Sequence, residues 1–415
     1  MREVIITATD SGRRLDKFLL AYLNDASRSF IYKLLRKKRI KLNGKRAGGG
    51  ELLQVGDVIG LHLSQETLDE SRNTSSLRAQ LISPANQASG LLRYAYNDGL
   101  PPIVYEDENL LIINKPAGMA SHGGMKTETT HLLAKMLAYL QQKGDYPPDA
   151  TFTPALCNRL DINTSGLIIC GKNYQALRAV NALFANSGKR PVADFATGDD
   201  MLSGGIDKEY LAVVDGELHG CAVLKGYYQK DTATNIARIT NNADCVCQSR
   251  FHVQMQAPVN TSHEQYAVTA YKSLAVSNGR SLLSVNPITG RSHQIRAHLA
   301  AIGHPLSGDK KYGGKPTAYT SAQLLHCRYM AFNKAVLSYP AGKSWSADLP
   351  GVFMKFISNE FQNFEFIKEA KQCEFNCFIF NHNKGDTYAT NHNCNNGGRH
   401  GKPLRRAKTD GAHRL

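Results

Sequence analysis

The sequence predicts an α+β chain, built on a mostly antiparallel or mixed sheet with flanking helices. Three observations lead there. Hydrophobic residues make up 42% and charged residues 20% of the 415 residues, a globular composition. Apolar residues recur both in short strand-like runs and at helical spacing. The two kinds of segment do not alternate strictly, which argues against a doubly wound parallel sheet. No apolar run approaches the ~18 residues of a membrane span. The first 14 residues lack the long apolar core of a signal peptide. A cytoplasmic protein is therefore expected, with its nine cysteines reduced and used as small hydrophobes.

The elements follow in chain order. Leu15, Phe18, Leu19, Tyr22 and Leu23 mark a first helix. Ser27 is placed to cap a second over 28–39, with Phe30, Ile31, Leu34 and Leu35 facing inward. Ile40 and Leu42 lead to the turn pair Asn43-Gly44, and 55–59 reads as the return strand of a hairpin. Together these make a small module over 1–64. Residues 65–100, rich in Ser, Asn, Gln and Gly, read as a linker with a short ordered piece at 91–96.

A larger domain is expected over 101–358. Strands at 103–105 and 110–113 flank a polar turn, and a helix carries Leu132, Leu133, Met136, Leu137 and Leu140. A strand at 166–170 precedes a helix with Leu177, Val180 and Phe184. Strands at 210–214 and 281–285 come before a helix over 292–302, capped by Ser292 and stopped by Gly303. The basic stretch 359–415 reads as a disordered tail. Its Cys373, Cys377, His382, His392 and Cys394 match no closed zinc framework.

The net charge of +15 is concentrated. Residues 28–46 hold Arg28, Lys33, Arg36, Lys37, Lys38, Arg39, Lys41, Lys45 and Arg46 and no acid. The last 32 residues add seven basic residues against two acids, so the rest of the chain is nearly neutral. A basic helix set in a compact module points to a polyanion with a phosphate backbone.

Two segments carry chemistry. In Asn158-Arg159-Leu160-Asp161-Ile162-Asn163-Thr164-Ser165-Gly166, an Asp sits in a turn just before a buried strand. It can present one carboxylate at a strand edge, or it can simply bond the backbone of Asn163 or Thr164 as an Asx-turn. In Thr289-Gly290-Arg291-Ser292-His293-Gln294-Ile295-Arg296-Ala297-His298-Leu299, the buried stripe is Ile295, Leu299 and Ile302, and His293 and Arg296 share another face. Arg296 can reach a ligand or a carboxylate, or remain a surface cation. His293 alone reads as a capping or core hydrogen bond. No serine triad or Walker loop is present, so neither metal nor cofactor is expected.

In combination these segments say more. Ile113-Asn114-Lys115-Pro116-Ala117-Gly118-Met119, the Asp161 segment, Lys208-Glu209-Tyr210, the Arg296 segment, Gly303-His304-Pro305, Gly308-Asp309-Lys310-Lys311-Tyr312-Gly313 and Leu325-His326-Cys327 occur in that order. The series resembles the RluA-type pseudouridine synthases. Residues 12–62, through Arg13-Arg14-Leu15-Asp16-Lys17-Phe18 and Ile40-Lys41-Leu42-Asn43-Gly44-Lys45, resemble the small S4 (αL-type) RNA-binding domain.

The resemblance implies an isomerase that converts uridine to pseudouridine in RNA, with large-subunit (23S) ribosomal RNA the expected substrate and a monomer the expected state. It makes Asp161 the catalytic aspartate, Tyr210 the residue that stacks on the target base and Arg296 the partner of Asp161. Arg159, Arg291 and Gln294 become substrate-positioning residues. Arg28, Lys33, Arg36, Lys37, Lys38, Arg39, Lys41 and Lys45 become RNA contacts. A transfer-RNA substrate, or a non-catalytic S4-type RNA-binding or ribosome-assembly factor, are the alternatives. The chain departs from the family pattern at Asn158, where His is usual, at Ile162, where Arg is common, and in an apparent insertion over 188–205.

Overall fold

The computed structural model describes residues 2–71, 99–123, 131–147, 150–187, 205–231, 233–240 and 265–361. The expected insertion (Gly205 apart), most of the expected linker with its 91–96 piece, and the tail from 362 lie outside them.

The amino-terminal module runs β1 (Arg2–Ile5), α1 (Leu15–Tyr22), α2 (Arg28–Arg36), β2 (Ile40–Leu42), β3 (Lys45–Arg46), β4 (Val58–Leu61) and α3 (Gln65–Glu70). Its strands form an antiparallel sheet in the order β1-β4-β2-β3. Leu15, Phe18, Leu19, Ile31, Leu35, Ile40 and Ile59 are its core. Ser27 caps α2 as expected, its hydroxyl accepting from the Phe30 N–H at 3.2 Å.

Three expectations shift. The second helix ends at Arg36 rather than 39, because Lys38 turns left-handed (φ 58°). The Lys38 N–H then bonds Leu35 O and the Arg39 N–H bonds Leu34 O, both at 3.0 Å, which is a Schellman stop without its usual glycine. The return strand starts at Val58, not 55. Residues 55–57 form a turn instead, with Gly56 at φ 87° and Asp57 Oδ2 accepting from the Gln54 N–H. Finally, α3 occupies the start of the expected linker, because Leu68 is buried against the module's core.

The larger domain contains one mixed sheet of eleven strands. Its elements in order are β5 (Ile103–Glu106), β6 (Leu110–Lys115), α4 (Leu132–Lys143), β7 (Ala155–Leu156), β8 (Ser165–Gly171), α5 (Tyr174–Asn186), β9 (Ile206–Asp215), β10 (Cys221–Asp231), β11 (Ile236–Thr240), β12 (Gln265–Ser277), β13 (Arg280–Pro287), α6 (Gln294–Ala301), a 3₁₀ helix (Lys310–Tyr312), β14 (Leu325–Phe332), β15 (Ser344–Ser346) and α7 (Gly351–Glu360). The strand order is β11-β10-β12-β13-β9-β14-β8-β6-β5, with β7 paired to β8 and β15 to β14. Every pairing is antiparallel except β8 with β14.

Of the four apolar clusters among the described residues of this domain, two flank the middle of the sheet. On one side Leu132, Met136 and Leu140 of α4 and Ala176, Val180 and Leu183 of α5 pack on β6 and β8. On the other, Ile295 and Leu299 of α6 pack on Ala212, Val214, Leu224, Tyr271, Leu283 and Val285. Between the two clusters the neighbouring strands are β8, β14 and β9. There Tyr210 registers with Cys327, and Cys327 with Gly166. Only glycine fits at 166, since its φ is 116° and a Cβ would come within 2.2 Å of Cys327 O. The close approach brings the turn before β8 alongside Tyr210.

The module and the sheet domain touch. Arg13 Nη1 donates to Asp10 Oδ1 at 3.0 Å and to Thr151 O at 3.1 Å. Gln175 Nε2 donates to Ser11 Oγ at 2.9 Å, and the Tyr174 N–H to Thr9 O at 3.1 Å.

Candidate active site

Asp161 lies in the turn that feeds β8, and the backbone on both sides of it is fixed. On the upstream side the Ser121 hydroxyl accepts from the Leu160 N–H at 3.2 Å and donates to Leu160 O at 2.8 Å. On the downstream side Ile162 O accepts from Lys115 Nζ at 3.1 Å and from the Gly118 N–H at 2.8 Å. Lys115 is fully buried, and its other two donors hold Pro116 O at 2.9 Å and Met119 O at 2.8 Å. Burial brings its pKa down to about 7, against the pull of the Asp161 charge. Asp161 O itself closes the turn, accepting from the Thr164 N–H at 3.0 Å. The Asx-turn alternative therefore fails: the turn is made by backbone, and the carboxylate is left for other partners.

The first such partner is Arg296. Its Nη1 donates to Asp161 Oδ2 at 2.8 Å. Its remaining donors grip Asp309 from two sides, Nε to Oδ2 at 2.7 Å and Nη2 to Oδ1 at 2.8 Å. The guanidinium also lies 4.9 Å from the centre of the Tyr312 ring. Burial opposes its charge, but the hydrogen bonds and charges of Asp309 and Asp161 outweigh burial and raise its pKa further. The Arg296 side chain is 8% exposed and that of Asp161 24%, so the pair is desolvated on one side and open on the other. Asp161 Oδ1 is bonded by no described residue.

Tyr210 comes from β9, half-buried beside this pair. Burial is the main cause that holds its phenol pKa well above the ordinary value, and Cys327 and the Asp161 charge add to it. Burial pushes the Cys327 thiol up to about 12, with the neighbouring Tyr210 and Lys208 opposing it.

The helix start at α6 differs from its expectation. Ser292 does not cap it, because the helix begins at Gln294 and Ser292 falls one residue too early. His293 takes the cap position in a left-handed conformation (φ 56°) with no side-chain cap bond. Its ring does make the expected internal hydrogen bond, Nδ1 to the Tyr312 hydroxyl at 3.0 Å, and its Nε2 lies 3.8 Å from Asp161 Oδ2. At the far end Gly303 stops the helix as expected (φ 82°).

The three residues expected to position substrate separate. Gln294 is buried and bonded entirely within the protein. Its Oε1 accepts from Thr289 Oγ1 at 2.7 Å and the Arg291 N–H at 3.0 Å, and its Nε2 donates to Val268 O and Thr269 Oγ1, both at 2.9 Å. It holds the 289–291 loop on β12 and has no donor left for a ligand. Arg291 has a buried Nε with no partner among the described residues, and its charge is felt by Tyr228. Arg159 is exposed, close enough to His122 to depress that imidazole after burial has done so.

Of the basic residues in the module, Arg28, Lys33, Arg36, Lys37, Lys38, Arg39 and Lys45 are exposed and Lys41 is half-buried. Among the described residues no group of three His, Cys, Asp or Glu side chains is placed to hold a metal. No described helix is long and apolar enough to cross a membrane.

The sequence profile of RNA pseudouridylate synthases matches residues 109–301, which contain Asp161, Tyr210 and Arg296. That of S4 domains matches residues 13–59. Over residues 109–301 the chain is a member of the RNA pseudouridylate synthase family. It is an isomerase with an S4 domain ahead of its synthase domain. The synthase is 28% identical over 333 residues to ribosomal large subunit pseudouridine synthase C of Vibrio vulnificus, covering 80% of this chain and 86% of that one. It is 27% identical over 318 residues to the protein of the same name in Escherichia coli K12, covering 75% and 80%. Among solved structures it is similar to human RNA pseudouridylate synthase domain containing 4, at 21% identity and a TM-score of 0.46, covering 65% of this chain and 96% of that one. Sequence reasoning missed Asp309, Lys115, Ser121 and Tyr312 as parts of the site. All four lie in or beside the quoted motifs, but what they touch is set by the fold.

Proposed function

We propose that this synthase isomerises uridine in large-subunit ribosomal RNA, with Asp161 as the catalytic carboxylate, Arg296 as its counter-charge and Tyr210 as the stacking surface for the base. The observation that carries the reading is the asymmetry of Asp161. Oδ2 is held by Arg296, while Oδ1 is left unbonded on the open side.

In the reaction the bond between ribose C1′ and uracil N1 breaks, the base turns, and C5 bonds to C1′. The C5 proton leaves and N1 takes one up, so atoms balance without redox change. A carboxylate serves this either as a nucleophile at the sugar or by taking up a proton near it. Both roles use the ionised form, for which Arg296 supplies the counter-charge. Unstacking the uridine costs a few kcal/mol, and stacking on Tyr210 returns ~1–3 kcal/mol. With its phenol kept protonated by burial, Tyr210 stacks rather than acts as a phenolate base.

The substrate follows from the relatives' names and from the S4 domain, whose exposed basic side chains, Arg28 to Lys45, contact RNA phosphates. Asp161→Asn is expected to lower isomerisation of a large-subunit rRNA transcript by roughly a thousandfold or more and to leave RNA binding within twofold. Continued isomerisation by that variant overturns the role of Asp161. Mapping pseudouridines in cells lacking the protein tests the substrate: sites lost from transfer RNA alone overturn the ribosomal reading, and no site lost anywhere favours a non-catalytic RNA binder.

A further inference from the structure

His293 holds a conformation that a non-glycine residue adopts at a cost, φ 56° and ψ 18°. It does so at the cap position of α6, three residues before Arg296, and it forms no side-chain cap bond there. Strain at such a point calls for a role, since surrounding structure must over-determine it. The ring shows what is gained. It is 11% exposed and stands edge-on to Tyr312, with centroids 5.8 Å apart.

The Tyr312 oxygen accepts from the Ala237 N–H at 2.8 Å, so its hydrogen is free to point at His293 Nδ1, 3.0 Å away. Nδ1 is then the acceptor, and Nε2 carries the proton in the neutral ring. That Nε2–H faces Asp161 Oδ2 at 3.8 Å, the same oxygen that Arg296 holds. The gap is long for a hydrogen bond, and bonds of this kind commonly tighten only when substrate is in place.

We propose that His293 is a positioning residue for Asp161: its Nε2–H, set by Tyr312, steadies Oδ2 from a second direction and leaves Oδ1 aimed at the nucleotide. The inference rests on the reading of Asp161 as the catalytic carboxylate. Charged and titratable groups meet the ring from every side: Asp161 from the turn before β8, Arg296 from α6, Tyr312 and Lys311 from the 3₁₀ helix, and Lys230 from β10. Burial is the largest influence and lowers the imidazole pKa. The Asp161 charge opposes this, and the charges of Arg296, Lys311 and Lys230 add to the lowering. The ring is thereby a neutral donor in the working enzyme. In acid it becomes a cation that pairs with Asp161 and competes with the reaction.

The test uses the full chain and an in-vitro transcript of large-subunit rRNA, with single-turnover rate, half-saturating RNA concentration, rate–pH profile and melting temperature as readouts. His293→Gly accepts the left-handed backbone without strain. It is expected to keep or raise the melting temperature, lower the rate about tenfold and leave half-saturation within twofold. His293→Gln, which retains an N–H donor, is expected to recover part of that rate. Both are expected to move the acid limb of the pH profile. The inference is overturned if His293→Gly works within twofold of the parent. It is also overturned if rate and melting temperature fall together, glutamine is no better than glycine, and the acid limb stays in place. Isomerisation that survives Asp161→Asn strikes instead at the reading beneath it.

Discussion

Arg296 stands between two carboxylates, bidentate to Asp309 and reaching Asp161 Oδ2 with its third donor at 2.8 Å. Asp309 is 2% exposed, so it acts as an internal anchor that orients the guanidinium toward Asp161. Asp309→Asn removes the charge that holds Arg296 in place and breaks a buried pair, at a cost of ~3–5 kcal/mol. The expected outcome is a lower melting temperature and at least a tenfold loss of isomerisation rate, although Asp309 is buried and reaches Asp161 only through Arg296. Arg296→Lys should fail similarly, because one ammonium cannot reproduce a fork to one carboxylate and a bond to another. Steady-state rates of both variants, compared with their urea midpoints, check this.

Ser121 pins Leu160, the residue before Asp161, through both its N–H and its C=O. Ser121→Ala leaves these two buried groups unpaired, which costs ~1–3 kcal/mol. A loosened carboxylate is a misplaced one, and small displacements of a reacting group lower rates steeply. The expected outcome is a rate reduced about tenfold with RNA affinity unchanged. A loss of affinity at constant rate would contradict this account.

What could be read in the sequence was what local chemistry decides. Apolar spacing placed α1, α4, α5 and the strands around them, and Gly303 marked the end of α6. Asp161 and Arg296 stood out because a turn-bound acid and a non-core arginine are locally conspicuous, and the fold brings them to 2.8 Å. Three things stayed hidden for one reason, that partners from distant segments decided them. Ser292 looks like a cap, but His293, bonded to Tyr312 and facing Asp161, takes that position. Lys115 looks like a surface cation until three backbone carbonyls converge on it. Lys38 gives no helix-stop signal, because it carries out the task of a glycine at a strain that tertiary packing outweighs.

Lys38 is therefore a place where stability and function separate. Its φ of 58° is ordinary for glycine and costs another residue ~1–2 kcal/mol. Lys38→Gly is expected to stabilise the S4 domain by about 1 kcal/mol while removing one exposed charge from the helix end proposed to contact RNA. RNA binding should weaken, and the slope of log affinity against log salt should fall by about 1. Neutralising Arg36 and Lys37 as well should flatten the slope further. Filter binding at several salt concentrations, beside thermal melts, measures both effects, and an unchanged slope would remove this face from the RNA interface.

Two deeply buried histidines set the acid limit of the fold. Burial brings His298 and His326 down to about 4, and each accepts at Nδ1 from a hydroxyl, Thr269 Oγ1 at 2.8 Å and Ser165 Oγ at 2.9 Å. In the unfolded chain a histidine titrates near 6.5. Between these values the unfolded state binds more protons, so stability is intact above about 6.5 and is lost as pH falls toward about 4. Each histidine then contributes ~3 kcal/mol of destabilisation at completion. Glu106 acts in a lower window. Burial raises its pKa, but hydrogen bonds from Lys143, Lys172 and Tyr139 outweigh this and hold it at about 2, so its contribution persists until pH drops below the ordinary carboxylate range. Urea midpoints should therefore already fall between pH 7 and about pH 5, above the ordinary carboxylate range. His298→Asn with His326→Asn should flatten that decline. A decline that begins only below pH 4.5 would assign acid sensitivity to carboxylates and release both histidines from this role.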